Sequence, residues 1–506
     1  MLTNFPPKKS LRFLLSAFTA VLSLTLNVSK VSAAIITNDA FAKDTSGNFI
    51  YAQGGGVFKF GTKWYWYGVK YNGAVTYAAN PSAGKNSDSS FNAFTCYSST
   101  DLVNWTFERN IMTSTSSGLS GAAWVGRMGV AYNSTTQKYV LVSQFAGDNG
   151  SGELFATCST PNGTFVYDHI QTTVPVVNNG TGDQTIFLDT NGAAYLICSS
   201  ASGRSHLYVL PLHPADYLNV DAGTQIFSGT GREGNFMVKN GSSGHYYFMS
   251  SDLHGWNASH TYVLDCATIT GTYSVEYILA GTDSDFSHVS QTGFGVNVIG
   301  TSGNTALFVG DRWCDFAGNG LGYNQWCPLS FSGSTPTFHS VSKLDLNAAA
   351  GTWAVGAGNN YVLNPSYEAD RVATSTLAGW VTDGSPTAGS YGNDTSPHTG
   401  RWNFHHSLNA SYAALTHQTV TGLPNGTYTL KVWYQSSGGQ STCRFFVRNF
   451  GGTEIQANVN TAQATWLQNT VSTSIVVTNG QCDVGIYSVS PANKWVNVDD
   501  WTLTKN

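Results

Sequence analysis

Charge is scarce in this sequence. Only 10% of its 506 residues are Asp, Glu, Lys or Arg, against roughly 25% in an average globular domain. With Lys plus Arg at 24, a surface that grips polyanions is excluded, so nucleic acid is not an expected partner. Cysteine (8), methionine (5) and proline (14) are also sparse. Eight cysteines are too few for a fold that depends on disulfides, and no CxxC or Cys/His cluster at zinc spacing occurs. Beyond residue 34 no apolar run approaches the roughly 18 residues of a membrane-spanning helix, so no membrane partner is expected. What is abundant is aromatic (13%) and glycine (54 residues), with 41% hydrophobic content that excludes disorder. Solvation by Ser, Thr, Asn and Gly points to twisted antiparallel sheets with many turns rather than to a helical bundle.

The first 34 residues differ in texture. Lys8, Lys9 and Arg12 precede an apolar stretch from Phe13 to Leu26, and Val31-Ser-Ala-Ala34 follows. This is the order of a secretory signal, too short to span a bilayer, with cleavage expected near Ala33 or Ala34 and the protein expected outside the cell. Loss of these residues removes four basic and no acidic side chains, and the formal net charge moves from −5 to −9. In an exported chain Cys314 with Cys327, and Cys443 with Cys482, are the disulfide pairs expected.

Between residues 35 and 345 one unit recurs five times: a short apolar strand, a polar turn, then a strand rich in Tyr or Trp. The copies align on Tyr65, Tyr139, Tyr195, Tyr246 and Leu307, 51 to 74 residues apart. Four-stranded propeller blades repeat at roughly 40–50 residues, so the expected fold is all-β, a five-bladed β-propeller; a two-sheet sandwich with coincidental repeats is the alternative. Residues just before each first strand would meet at the mouth of a central funnel. Gln53, Arg127 and Asp183 stand twelve residues before the aligned tyrosine, Glu233 thirteen and Gln291 sixteen before theirs. Two carboxylates facing a shared pocket suit glycoside hydrolysis, one as a protonated acid, with Gln53 and Arg127 expected to contact the substrate. Ion pairing of Arg127 or Arg232 with Asp183 or Glu233 is the purely structural alternative. Trp124, Trp256, Trp313, Tyr323 and Trp326, beside Asn257, Asn324 and Gln325, are the candidates for stacking on sugar rings and bonding their hydroxyls.

The ordered set Gln53-Gly-Gly-Gly56, Trp64-Tyr-Trp-Tyr-Gly68, Ser98-Ser-Thr-Asp-Leu-Val-Asn-Trp105, Gly182-Asp-Gln-Thr-Ile-Phe187, Gly231-Arg-Glu-Gly234, Ser290-Gln291 and Gly310-Asp-Arg-Trp313 resembles glycoside hydrolase family 43, in its exo-β-1,3-galactanase branch. The resemblance implies an inverting hydrolase needing no cofactor for catalysis. Glu233 would be the general acid, Asp183 would orient it and raise its pKa, and Gln291 would position water. The sequence departs from the branch at Gln53, commonly His, and at Val69 and Gly126, both commonly Glu. A furanosidase or xylosidase of the same family, or a non-catalytic carbohydrate-binding protein, are the competing functions.

Residues 346–360 read as a small-residue linker. The remainder, 361–506, opens with Leu363-Asn-Pro-Ser-Tyr-Glu368 and ends with Val496-Asn-Val-Asp-Asp-Trp-Thr-Leu503. It resembles the jelly-roll-like β-sandwich carbohydrate-binding modules of secreted hydrolases. Trp402, Trp433 and Trp466 are its candidate platforms, and Asp499 and Asp500 its candidate structural calcium ligands. A monomer acting on polysaccharide or oligosaccharide is expected.

Overall fold

A computed structural model describes residue 1 and residues 35–80, 86–148, 150–312, 322–383 and 390–506. Cys314 and Trp313 lie outside them, as do residues 2–34. Among the described residues no helix is long and apolar enough to cross a membrane.

Five four-stranded antiparallel sheets follow one another along the chain, each in simple up-and-down order. Their first strands are Gln53–Phe60, Trp124–Asn133, Thr181–Leu188, Arg232–Lys239 and Gln291–Ile299. These are the blades of a five-bladed propeller, and the five hairpins read from the sequence are the first two strands of each. Local chemistry sets them: Val57 to Phe60 and Lys63 to Trp66 pair across a two-residue turn in which Gly61 adopts φ +62°, a conformation glycine enters without penalty. The ring closes between its first and fifth blades by packing rather than by a shared sheet. Trp66 meets Trp326 and Trp105 edge-on, each at 5.3 Å between ring centroids, and Phe294 packs beside them. Burying each such ring contributes roughly 1.5–3 kcal/mol.

The stretch read as a linker is instead held in place. Lys343–Asn347 and Thr352–Val355 form a hairpin that pairs with Ile35–Thr37, Ile35 facing Asp345. Asn359 Oδ1 accepts from the backbone of Ser342 at 2.9 Å, and Asn360 donates to Trp501 O at 2.8 Å. The small residues there fit turns between strands, a pattern that composition cannot tell from a flexible tether.

The C-terminal unit is a sandwich of two five-stranded antiparallel sheets. Its core includes Tyr367, Trp380, Trp402, Phe404, Tyr428, Phe445 and Trp501. Trp402 is therefore core and cannot be a sugar platform. The proposed Cys443–Cys482 pair is also excluded, both thiols being free. Cys443 lies opposite Ser488 on the strand that carries Cys482, and six residues of strand is about 20 Å, far beyond disulfide reach.

Candidate active site

The five inner strands share a detail that the hairpin pattern alone does not show. Each slips register against its neighbour at its start: between Gln53 and Gly56, Val125 and Met128, Thr181 and Gln184, Glu233 and Phe236, and Thr292 and Phe294. A glycine sits in every slip, at 54 and 55, 126, 182, 234 and 293. Such bulges bend the strand and re-aim side chains, which is why they gather at functional rims. At Gly234 the need is steric as well: φ is +62°, and a Cβ would stand 2.2 Å from Thr292 O.

Between these bulges lies a cavity of roughly 310 Å³ lined by Arg127, Asp183, Arg204, Glu233 and Gln291, with Tyr71, Trp124, Gln144 and Trp256 around them and Gly54, Gly126 and Gly255 in the wall. Arg127 is its buried keystone. Its Nε donates to Asp183 Oδ2 at 3.0 Å, one terminal nitrogen donates to Asp311 Oδ2 at 2.7 Å, and the other donates to Thr292 O at 3.3 Å. Asp183 Oδ2 also accepts from Gly234 N at 3.0 Å, and Oδ1 accepts from Arg204 at 3.1 Å. Burial opposes the Asp183 charge, but the two guanidinium groups and the Gly234 N–H hold its carboxyl below the usual range.

Glu233 is treated in the opposite way. Burial, with the neighbouring Asp183 charge, raises its carboxyl to about 7 against the pull of Arg204 and Arg127. Its Oε2 faces Arg204 Nε at 3.5 Å, while its buried Oε1 has no hydrogen-bond partner. One carboxyl pushed up beside one held down is the pattern of a general acid and a permanent anion. Gln291, buried, donates to Gly255 O at 3.4 Å and reaches the same cavity.

Thus Glu233, Asp183, Gln291, Arg127, Trp124 and Trp256 come together. Arg127 does so as a tie between carboxylates, its Nε and both terminal nitrogens bonded to protein at one wall of the cavity. Gln53 is not among the lining residues; its Nε2 donates to Gly322 O at 2.8 Å, and only its neighbour Gly54 reaches the wall. Gln325 is not a sugar ligand either. It is fully buried, with Oε1 accepting from Asp39 N and Nε2 donating to Asp39 Oδ1, both at 2.9 Å. Asn324 donates to Asp311 at 2.7 Å, Asn257 to His254 O at 3.0 Å, and Trp326 belongs to the closing cluster of the ring. Tyr323 is described only as the first residue of its strand, and Trp313 lies outside the described residues. Val69, at one of the positions where the sequence departs from the branch, is core. At Gly126 the Gln144 amide stands 2.6 Å from where a Cβ would be.

Three lining residues escaped the sequence reading. Arg204 occupies a turn after the second strand of the third blade, with φ +48°, and no repeat marks it. Tyr71, bonded to Val125 O at 3.0 Å, and Gln144, bonded to Gly182 O, come from second strands, which the alignment treated as core.

Asp499 and Asp500 already accept hydrogen bonds. Asp499 takes the backbone N–H groups of His398 and Thr399; Asp500 takes Ser366, Thr399 and His398 side chains. Among the described residues no group of three or more His, Cys, Asp or Glu is placed to hold a metal.

Residues 77–303 match the family model described as glycosyl hydrolases family 43. Among solved structures, an exo-β-1,3-galactanase from Clostridium thermocellum aligns over 94% of this chain and all of its own, at 22% identity and a TM-score of 0.56. One from Phanerochaete chrysosporium, solved with β-1,3-galactotriose, aligns over 92% of this chain and all of its own, at 22% identity and 0.55. At that identity the likeness is one of fold. A 1,6-α-glucosyltransferase from Sporosarcina globispora is 29% identical over 174 residues, 33% of this chain but only 13% of that protein's length.

Proposed function

We propose that this chain, whose propeller belongs to glycosyl hydrolase family 43, is a secreted, exo-acting, inverting hydrolase that removes galactose from β-1,3-linked galactan or arabinogalactan. The observation that carries the reading is the pair of unlike carboxyls. Glu233, raised to about 7, is partly protonated at neutral pH and its buried Oε1 has no hydrogen-bond partner, while the Asp183 carboxyl beside it is held below the usual range. Glu233 would give its proton to the glycosidic oxygen as the C–O bond breaks. Water set by Gln291 would attack the anomeric carbon from the opposite face, and its proton would pass to solvent, because an amide cannot take it at neutral pH. Trp124 and Trp256 would offer apolar faces to the sugar ring.

The test is product analysis on de-branched β-1,3-galactan beside arabinogalactan and aryl furanosides. Galactose from the first supports the reading; arabinose or galactofuranose alone would transfer the activity to a furanosidase. Glu233→Gln should lower kcat by about 10²–10⁴, the usual share of general acid catalysis, while ligand affinity stays near that of the parent. A parent that binds galactan but releases no reducing sugar from any of these would instead be a non-catalytic binding protein. Export is tested by finding the protein in the medium with residues 1–34 removed.

We read the sandwich as a glycan-binding module. Of its remaining candidate platforms, both half-buried, Trp433 is stacked face-on by the His398 ring at 3.9 Å, whereas Trp466 meets that ring only tilted, at 5.6 Å. Retention on insoluble galactan should therefore fall in Trp466→Ala more than in Trp433→Ala.

A further inference from the structure

Gln291 is delivered to the cavity by an unusual stretch of backbone. Phe286, Ser287, His288 and Val289 have φ of 47°, 59°, 59° and 54°; no other four consecutive non-glycine residues among those described are all left-handed. This conformation costs roughly 1–2 kcal/mol per residue, and it is least natural for β-branched Val289. The turn closes on itself through Val289 N to Asp285 O at 2.7 Å and Ser290 N to Phe286 O at 3.1 Å. Strain of this size persists only where the surroundings over-determine it, so the groups that hold it matter.

On the propeller side, Asp285 Oδ1 accepts from His288 N at 3.0 Å, and the His288 ring lies between Ser340 Oγ at 2.7 Å and Asp39 Oδ2 at 3.2 Å. Also within the propeller, Ser287 Oγ donates to Ser259 O at 2.9 Å and bonds Thr261 Oγ1 at 2.8 Å, and the His260 ring meets Phe286 edge-on. Further support comes from the other domain. Ala369 of the sandwich is buried with Val289 and Ala258, and Phe286 and Ala378 pack onto them. The Arg371 guanidinium sits over the Phe286 ring, 4.8 Å from its centroid, and its terminal nitrogen is 3.8 Å from Asp252 Oδ2. Asp252 binds Ser259 through both its N–H and its carboxylate, and Ser259 N donates to Ser290 O at 3.1 Å. Between Asp252 and Ser259 runs the loop that contributes Gly255, the acceptor for Gln291, and Trp256. Arg371 thus touches both segments that build one wall of the cavity.

We propose that Arg371 of the sandwich is a positioning residue of the propeller's active site, clamping the left-handed turn 286–289 to the loop 253–258 so that Gln291 and Trp256 face Glu233. A planar cation suits the place, because it stacks on an aromatic face and pairs with a carboxylate at once. On this account the sandwich completes the catalytic domain in addition to any glycan it holds. The clamp rests on the proposed hydrolase reading for its effect on turnover, but not for its effect on the backbone.

Two readouts on the full-length protein separate the two. In Arg371→Ala, backbone amides of 284–292 and 253–258 should exchange with solvent about tenfold faster than in the parent, while blade strands keep their protection. Unchanged exchange in both segments would overturn the proposal, whatever the substrate is. With β-1,3-galactobiose as probe, kcat of Arg371→Ala should fall about tenfold with KM within about twofold, and Arg371→Lys should recover part of the loss. The pH profile adds a signature that a merely structural arginine would not give. Glu233 is faced by Asp183, Arg204, Arg127 and Asp252; Asp252 is itself met by His254 at 2.7 Å, and the nearby Arg232 is tied to Glu276. Loss of Arg371 leaves Asp252 less compensated, so the basic limb of kcat/KM should rise by a few tenths of a pH unit, and it should not move when Arg371→Ala is made in an Asp252→Asn background. Equal kcat and pH limb in Arg371→Ala and parent would overturn the clamp's role in turnover. Arg371→Met, which keeps the aliphatic stem over Phe286, serves the same measurements if the alanine variant fails to fold. A parent inactive on galactobiose would count against the hydrolase reading alone.

Discussion

Glu233 holds its proton up to about pH 7 because it is buried, and because it lies beside an anion that two arginines keep charged. The active form of the acid is the protonated one, so kcat/KM should decline as pH rises through about 7. Asp183→Asn removes the neighbouring charge and leaves Arg127 and Arg204 less neutralised; the basic limb should then move down, toward the ordinary glutamate range near 4.5, and a limb that stays near 7 would mean that Asp183 does not set it. The same shift has a sign in stability. A carboxyl raised from 4.5 to about 7 binds more protons folded than unfolded across that window, so its contribution to stability falls as pH rises from 4.5 to 7. Glu233→Gln, which cannot ionise, should therefore be more stable than the parent at pH 8, by a few kcal/mol at most, with the gap closing toward pH 4. Thermal melts at the two pH values check it. Glu233, Asp183 and Gln291 were legible in the sequence because they recur at equivalent repeat positions in a chain with few charges. Arg204 was not, since it belongs to a turn that no other blade repeats.

At the level of single elements, the glycine in each bulge of the inner strands does what the hairpin alternation cannot: it lets the strand slip register and turn a polar side chain into the funnel. Gly234 carries the tightest demand, since it is left-handed, lies against Thr292 O, and gives Asp183 its N–H. Gly234→Ala should cost more than about 2 kcal/mol, the left-handed penalty together with the steric one, and should also depress activity by displacing Asp183. A melting temperature within about 2 °C of the parent would show that the bulge tolerates a side chain. The approach motifs advertised these glycines, but nothing in a glycine says whether it serves a turn, a bulge or a close contact. The left-handed turn at 286–289 was wholly silent in the sequence, because Phe, Ser, His and Val carry no signal for positive φ; only packing from both domains holds them there.

For the molecule as a whole, His288 links the segment around Asp39 to the fifth blade and, through the turn, to the sandwich. Burial works against its charge, but Asp39 and Asp285 raise the imidazolium to about 10, with Arg312 on the far side of Asp39. A histidine raised from 6.5 to about 10 contributes stability that is complete below pH 6.5 and lost as pH climbs to 10. The parent should accordingly lose thermal stability over that range, and His288→Gln should be less stable at pH 6 with a difference that shrinks toward pH 10; parallel curves would place the effect elsewhere. The chain itself determined the all-β class, the five repeats, the sandwich and the ring of polar residues, since these follow from strand alternation, turn chemistry and the placement of rare charges, all of them local. Only the tertiary structure decided that Arg127 ties carboxylates, that Gln325 and Trp326 are structural, that Cys443 and Cys482 stay apart, that the presumed linker is paired into a sheet, and that the sandwich packs against the turn before Gln291. Those outcomes depend on which distant segments meet once apolar faces are buried, and alternation along a strand records that a side chain turns inward without recording what it will find there.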